Sequence, residues 1–354
     1  MSGSLLPREE LDAPPEISDA PVFIGGLDRS GKTTMRGFLT SHPHIAIPAV
    51  GSNMETYFYG QYGDLADPRN LERCLQAMLR YKHVRSLKPD AERIRREFAE
   101  GPPSYERLFS LFLIQYAERE GKPRWGAQTG LIERYADEVF AAFPAAKVVH
   151  MVRDPRDRYE ASLALWPDGK GRAGGATARW TYSVGLAERN LRRYPSGYLV
   201  VRFEDMVRRP EETVRQVCGF LEEPFVPQML AMPEAEKHRA LLSSGSSAPT
   251  GGTVMDESFI GRFRGRILKR ELAFIQGQAG RKMRAYGYAP DPTPMSLGER
   301  ARFVAIDWPN QEARMLAWRG VETLQQRFPA RVGREPGGRM IVEPVTDDAA
   351  GGGS

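Results

Sequence analysis

The stretch that constrains this chain most runs Pro21-Val22-Phe23-Ile24-Gly25-Gly26-Leu27-Asp28-Arg29-Ser30-Gly31-Lys32-Thr33-Thr34. A short apolar strand enters a glycine-rich turn. Met35, Phe38 and Leu39 then recur at the i, i+3, i+4 spacing of a helix packed on a sheet. From Gly26 to Thr33 the spacing is G-x-x-x-x-G-K-T, that of a phosphate-cradling P-loop. Glycines let successive backbone N–H groups converge on an anion, and the helix N-terminus adds partial positive charge. Lys32 contributes a full charge and Thr33 a hydroxyl. The site therefore binds a phosphate-like group, and the rest of the chain must say which.

Further along, Lys147-Val148-Val149-His150-Met151-Val152-Arg153 and Tyr198-Leu199-Val200-Val201-Arg202-Phe203 are near-continuous apolar runs, as buried parallel strands are. His44–Pro48 and Arg124–Gln128 read as shorter strands. From Asn53 to Tyr116 the pattern is mostly helical, broken near Asp67-Pro68, Lys88-Pro89 and Gly101-Pro102-Pro103. Strands alternating with helices predict a three-layer α/β/α fold on a central parallel sheet, with helical insertions. Residues 1–20 read as a flexible lead-in, 21–288 as the main domain, 289–332 as a helical extension interrupted at Pro309, and 333–354 as a disordered tail. Ser243–Gly252 reads as a mobile loop.

With 354 residues the chain buries one large core. The net charge of +5 is mildly basic, and arginine far outnumbers lysine. Arginine pairs bidentately with phosphate or sulfate, which suits an anionic nucleotide. No Lys/Arg tract interleaved with aromatics argues for nucleic acid. Cys74 and Cys218 lack metal-ligand spacing, so a reducing compartment is the simplest setting. With no run of eighteen apolar residues and a polar start, a cytoplasmic enzyme without a membrane span is expected; an excised catalytic domain would read the same.

A second anion site is written in Val152-Arg153-Asp154-Pro155-Arg156-Asp157-Arg158-Tyr159-Glu160-Ala161-Ser162. A buried strand ends at Arg153, Asp154 is placed as an N-cap and Pro155 at N1 of a new helix. Asp157 at N3 predicts a variant capping box. Arg153 is then either an oxyanion ligand at a strand end or the partner of Asp157 or Glu160.

Arg29-Ser30-Gly31 directly after an apolar strand, together with the Arg153-Asp154-Pro155 helix start, resembles the PAPS-dependent sulfotransferases of bacterial type. The resemblance runs from about Pro21 to Tyr288. It implies transfer of a sulfuryl group from 3′-phosphoadenosine 5′-phosphosulfate (PAPS) to a hydroxyl or amine, releasing PAP, with no metal or redox cofactor. By the same resemblance Arg29, Ser30, Gly31, Lys32, Thr33 and Thr34 hold the 5′-phosphosulfate, with Arg29 and Lys32 stabilising the leaving oxygen. Arg153 and Ser162 hold the 3′-phosphate, although the family places its serine at the position of Ala161. Ser162 is otherwise an ordinary helix residue. Phe203, before Glu204-Asp205, is an adenine neighbour or plain core. Arg262, in Ile260-Gly261-Arg262-Phe263-Arg264, closes over the 3′-phosphate or is a solvated arginine.

The resemblance also implies a glutamate base after the second strand, and Glu55 in Asn53-Met54-Glu55-Thr56 fits that position. His42 and His150 read as structural. Gln128 stands where relatives often carry a lysine. The acceptor, whether small molecule, sugar or lipid, is not written in the chain. The alternatives are an ATP-dependent P-loop kinase or NTPase and a non-catalytic nucleotide-binding module. A kinase lacks here a clean strand ending in a solitary acid for Mg²⁺: Asp154 reads as a cap, and Asp205 follows Glu204.

Overall fold

Five strands, Val22–Gly26 (β1), Ile45–Ala46 (β2), Arg124–Gln128 (β3), Lys147–Val152 (β4) and Tyr198–Arg202 (β5), form one parallel sheet in the order β2-β3-β1-β4-β5. The structure is a computed structural model and describes residues 16–49, 51–232, 256–333, 336 and 340–341. The lead-in and tail fall largely, and the Ser243–Gly252 loop entirely, outside these residues.

β1 is central and buried along its whole length, which is why its residues are apolar or glycine. Its alternation feeds two cores. Val22 and Ile24 pack with Met35, Phe38 and Leu39 of the Lys32–Thr40 helix and with Val214 and Val217 of the Pro210–Leu221 helix. Phe23 points to the other face, with Trp125, Phe109 and Phe112 under the Tyr105–Arg119 helix. The helical breaks between Asn53 and Tyr116 are real, and three of the helices start at side-chain caps. Asp67, Asp90 and Ser104 accept from the backbone N–H of Arg69, Arg93 and Arg107. β2 is only two residues long, paired to β3 at Ile45–Arg124 and Ala46–Trp125. Phe203 does not extend β5; it starts the Phe203–Arg208 helix.

The C-terminal helical run does not end at Pro309: a π-helical turn, Phe303–Asp307, directly before that proline carries Leu297–Arg302 without a break into the Trp308–Arg327 helix. That helix lies against the Ala173–Arg193 helix so closely that a Cβ on Gly174 would collide with the Gln311 carbonyl. The Gln311 side chain accepts from Gly174 N and donates to the Gly171 carbonyl. Glu322 of the same helix pairs with Arg134. Residues 308–327 thus pack into the domain around Met315, Phe274 and Trp180.

In a parallel sheet of this order the chain leaves β1 toward one edge and returns through β4 toward the other. Ligands of such sheets bind in the crevice beyond the strand ends at this reversal. β1 ends there in Gly26, β3 in Gln128 and β4 in Val152.

Candidate active site

The turn after β1 is shaped by two glycines. Gly26 has φ +98, and a Cβ there would collide with the carbonyl oxygen of Met151 in β4. Gly31 has φ +94, and its Cβ would lie 2.6 Å from the Phe203 ring. Lys32 is buried, its Nζ donating to the Gly26 carbonyl at 2.8 Å and lying 3.6 Å from Asp28 Oδ1. Burial holds the lysine below its ordinary range. Burial also opposes ionisation of Asp28, but Lys32, Arg158 and Arg179 outweigh it and keep that carboxyl low. Ser30 Oγ donates to the Leu27 carbonyl at 2.6 Å. Arg29 Nε and Thr34 Oγ1 are buried without a partner, whereas Thr33 is exposed. Unpartnered donors beside a glycine turn fit an anionic ligand.

Arg153 follows β4 and joins two segments. Its Nη1 donates to the Arg29 carbonyl at 3.1 Å and its Nη2 to the Phe259 carbonyl at 2.7 Å. The guanidinium lies 4.4 Å from the Phe203 ring centroid, and its Nε is buried without a partner. Its bonds therefore go to main-chain carbonyls rather than to Asp157 or Glu160. Asp154 caps the Pro155–Leu163 helix, accepting from Arg156 N at 2.9 Å. The capping box that the spacing predicts does not form. Asp157 instead accepts from Gly261 N at 2.7 Å and Phe263 N at 2.9 Å, because two unpaired loop amides reach it. The pair holds residues 261–263 beside the start of the helix.

Other predicted contacts are more local. Ser162 Oγ donates to its own helix at the Tyr159 carbonyl, 2.7 Å. Arg262 lies 3.3 Å from Glu160, and Arg264 pairs with Asp291 at 2.5 Å. Phe203 and Phe263 are both buried, the second beneath Arg156. Arg158, fully inside, is held down to about 10 by burial, and its Nε has no partner.

Across the crevice Glu55 is 6% exposed on the short Met54–Tyr57 helix. Its Oε2 accepts from Thr129 Oγ1 at 2.9 Å. Thr129 N in turn donates to the Ile24 carbonyl, which ties Glu55 to the end of β1. A Cβ on Gly130 would lie 3.7 Å from Lys32 Nζ, so Glu55, Thr129, Gly130 and Lys32 are successive neighbours. Burial pushes the Glu55 carboxyl up. Gln128 Oε1 is buried and unpartnered nearby. His42 bonds the Pro224 carbonyl and His150 the Tyr198 hydroxyl, so both are structural.

Sequence reasoning missed Glu133. It is fully buried beneath the loop, accepting from Gly26 N at 3.2 Å and from Ser183 Oγ. A lone acid in a one-turn helix after a strand carries no periodic signal, and its partners are distant in the chain.

A glycine-shaped turn at the switch point, with buried arginines beside it, defines a P-loop-like protein. Within that class the chain belongs to the sulfotransferase family, whose model matches residues 21–227. It is 22% identical over 315 residues to protein-tyrosine sulfotransferase of Drosophila melanogaster, covering 84% of this chain and 57% of that protein. The chain thus spans little more than half the length of this relative. Two solved structures share the fold. The sulfotransferase domain of the Synechococcus PCC 7002 olefin synthase has TM-score 0.51 at 17% identity, covering 78% of this chain and 96% of that one. The sulfotransferase domain from the curacin biosynthetic pathway has TM-score 0.51 at 17% identity, covering 78% and 100%. A kinase is not favoured. Asp154 is paired with Arg156, and Asp205 lies between Arg202 and Arg209. Among the described residues no helix is long and apolar enough to cross a membrane.

Proposed function

We propose that this chain moves a sulfuryl group from PAPS to a hydroxyl or amine acceptor. The observation that carries the donor is Arg153. It is a buried guanidinium with an unpartnered Nε, and it is braced on the P-loop carbonyl of Arg29. A second fixed cation beside the first cradle suits a ligand with two separate phosphate groups. When bound, PAPS supplies the sulfuryl group, which passes to the acceptor by in-line displacement and leaves PAP.

The chain's own residues divide the work. The loop amides, Ser30, Gly31, Thr33 and Thr34 hold the 5′ end, and Arg29 and Lys32 balance the charge that grows on the leaving oxygen. Arg153 holds the 3′-phosphate, with Ser162 and Arg262 as outer contacts. Phe203, wedged between Arg153 and Gly31, positions both. Glu55 takes the acceptor's proton; a carboxyl raised by burial is a stronger base than a solvated one. The acceptor is a small molecule, sugar or lipid. Cys74 and Cys218 are free thiols, which supports a reducing, cytoplasmic setting.

Calorimetry with PAP, ADP and ATP tests the donor. PAP is expected to bind at least about tenfold more tightly than ADP, because a charge-assisted contact to the 3′-phosphate is lost in ADP. Equal affinities, or Mg²⁺-dependent hydrolysis of ATP, overturn the reading.

A further inference from the structure

One buried acid takes no part in the division of work above. Glu133 stands in the one-turn helix Ile132–Tyr135 and is shut off from solvent. Leu131, just before it, has φ +62, a left-handed turn uncommon for a branched residue. The chain then packs against the end of β1, where only glycine leaves room. A Cβ on Gly25 would collide with the Ile132 side chain and stand 3.4 Å from Glu133 Oε2. The Ala173–Arg193 helix holds the turn from its other side, Asn190 Nδ2 donating to the Glu133 carbonyl at 2.8 Å.

Both carboxylate oxygens act as acceptors. Oε2 accepts from Gly26 N at 3.2 Å, and Oε1 accepts from Ser183 Oγ. Gly26 is thus gripped at both ends, since Lys32 Nζ donates to its carbonyl at 2.8 Å. His150 Nδ1 of β4 lies 3.9 Å from Glu133, but burial holds that ring toward its neutral form. The Tyr198 hydroxyl of β5, bonded to His150, is pushed up by burial and by Glu133, so it stays neutral too. The charge of Glu133 is left to Lys32.

Few charges support that lysine. Asp28 lies 3.6 Å away, but it is exposed and shared with Arg158 and Arg179. Arg158 and burial both oppose the ammonium, whereas Glu133 favours it. Glu55 is separated from Lys32 by Thr129 and Gly130. A buried ammonium keeps its proton only while opposite charge stands near.

We propose that Glu133 is a positioning residue: it fixes the first glycine of the anion loop and supplies the buried counter-charge that keeps Lys32 an ammonium for the donor's leaving oxygen. This rests on the sulfotransferase reading. A carboxylate beside an anion site also repels the phosphate it serves, and pH separates the two effects.

Glu133→Gln keeps the shape and an acceptor for Gly26 N, but drops the charge. Turnover with PAPS, and PAP affinity by calorimetry, are measured from about pH 6 to about pH 10. In acid, where Lys32 is charged in either protein, Glu133→Gln is expected to bind PAP at least as tightly as wild type. The alkaline limb of both profiles is expected to move down by about one pH unit. In a Lys32→Arg background, read by PAP binding, the guanidinium stays charged and Glu133→Gln should leave the limb in place. Glu133→Asp keeps the charge but falls a methylene short of Gly26. It should hold the limb and lower kcat by about tenfold. An unmoved limb in Glu133→Gln, an equal movement in the Lys32→Arg background, or PAP affinity weakened by one factor at every pH overturns the proposal. If Glu133→Gln does not fold, Glu133→Asp decides, and a displaced limb or a wild-type kcat there overturns it. Failure of PAP to bind the wild type overturns the sulfotransferase reading instead, so the two failures are distinct.

Discussion

On one side of the crevice stand Arg29, Lys32, Arg153 and Arg158, with Asp28 beside Lys32 and Glu133 beneath the loop; on the other stands Glu55. The cationic side is made largely of backbone. Gly26 and Gly31 turn the chain, and carbonyls of Arg29 and Phe259 brace Arg153. The acidic side is made of side chains drawn from separate elements: Glu55 on a short helix and Thr129 just after β3. A backbone cradle suits the part of a reaction that never varies, here the proposed donor. A pocket of side chains can change its ligand by single substitutions, as an acceptor site must.

This contrast can be broken at several points. The largest effect is expected at Glu55, on the acidic side. Glu55→Gln should lower turnover by about 10²–10⁴, the worth of a positioned base, and leave PAP affinity unchanged. Activity should rise with pH through the raised pKa of Glu55, because only the carboxylate accepts a proton. Stability should move the other way. A carboxyl whose folded pKa lies above its unfolded value contributes stability at low pH, and loses it as pH rises through the folded value. Urea melts should therefore show Glu55→Gln more stable than wild type at neutral pH, with the gap closing in acid. Near-normal turnover in this variant would remove the catalytic role.

Arg29→Ala and Lys32→Ala should each cost about 10²–10³ in turnover and weaken PAP or PAPS binding too. Losses on both axes would mark the cationic side as acting before and during the reaction; a pure loss of turnover would place these residues only in the transition state. Arg153→Ala is expected to be milder, raising KM for PAPS by about tenfold or more with kcat within about threefold. Ser162→Ala should fall within about threefold in KM, since its hydroxyl already satisfies Tyr159. Steady-state kinetics at saturating acceptor separates these cases, and a large fall in kcat for Arg153→Ala would contradict a remote role.

The legible features are those whose cause is local. The loop from Gly26 to Thr33, the strand end at Arg153, the Asp154 cap and Pro155 at N1 each depend on a few adjacent residues, and all appear where the spacing puts them. Asp157 shows the limit. Its position favours a capping box, but amides of Gly261 and Phe263, far along the chain, offer better partners. Phe203 reads as the last strand residue and is instead a helix start packed on Gly31 and Arg153. Glu133 went unseen because a single acidic residue in a short turn looks like any other.

The sequence by itself determined an α/β chain with a P-loop and a second arginine site, because turn geometry and helix starts follow from contiguous residues. Only the tertiary structure decided which carboxyls are buried and what they bond. Glu55 and Glu133 are buried against partners such as Thr129 and Gly26 that lie far away in the chain. Desolvation is set by everything that packs around a group, and neither spacing nor composition records it.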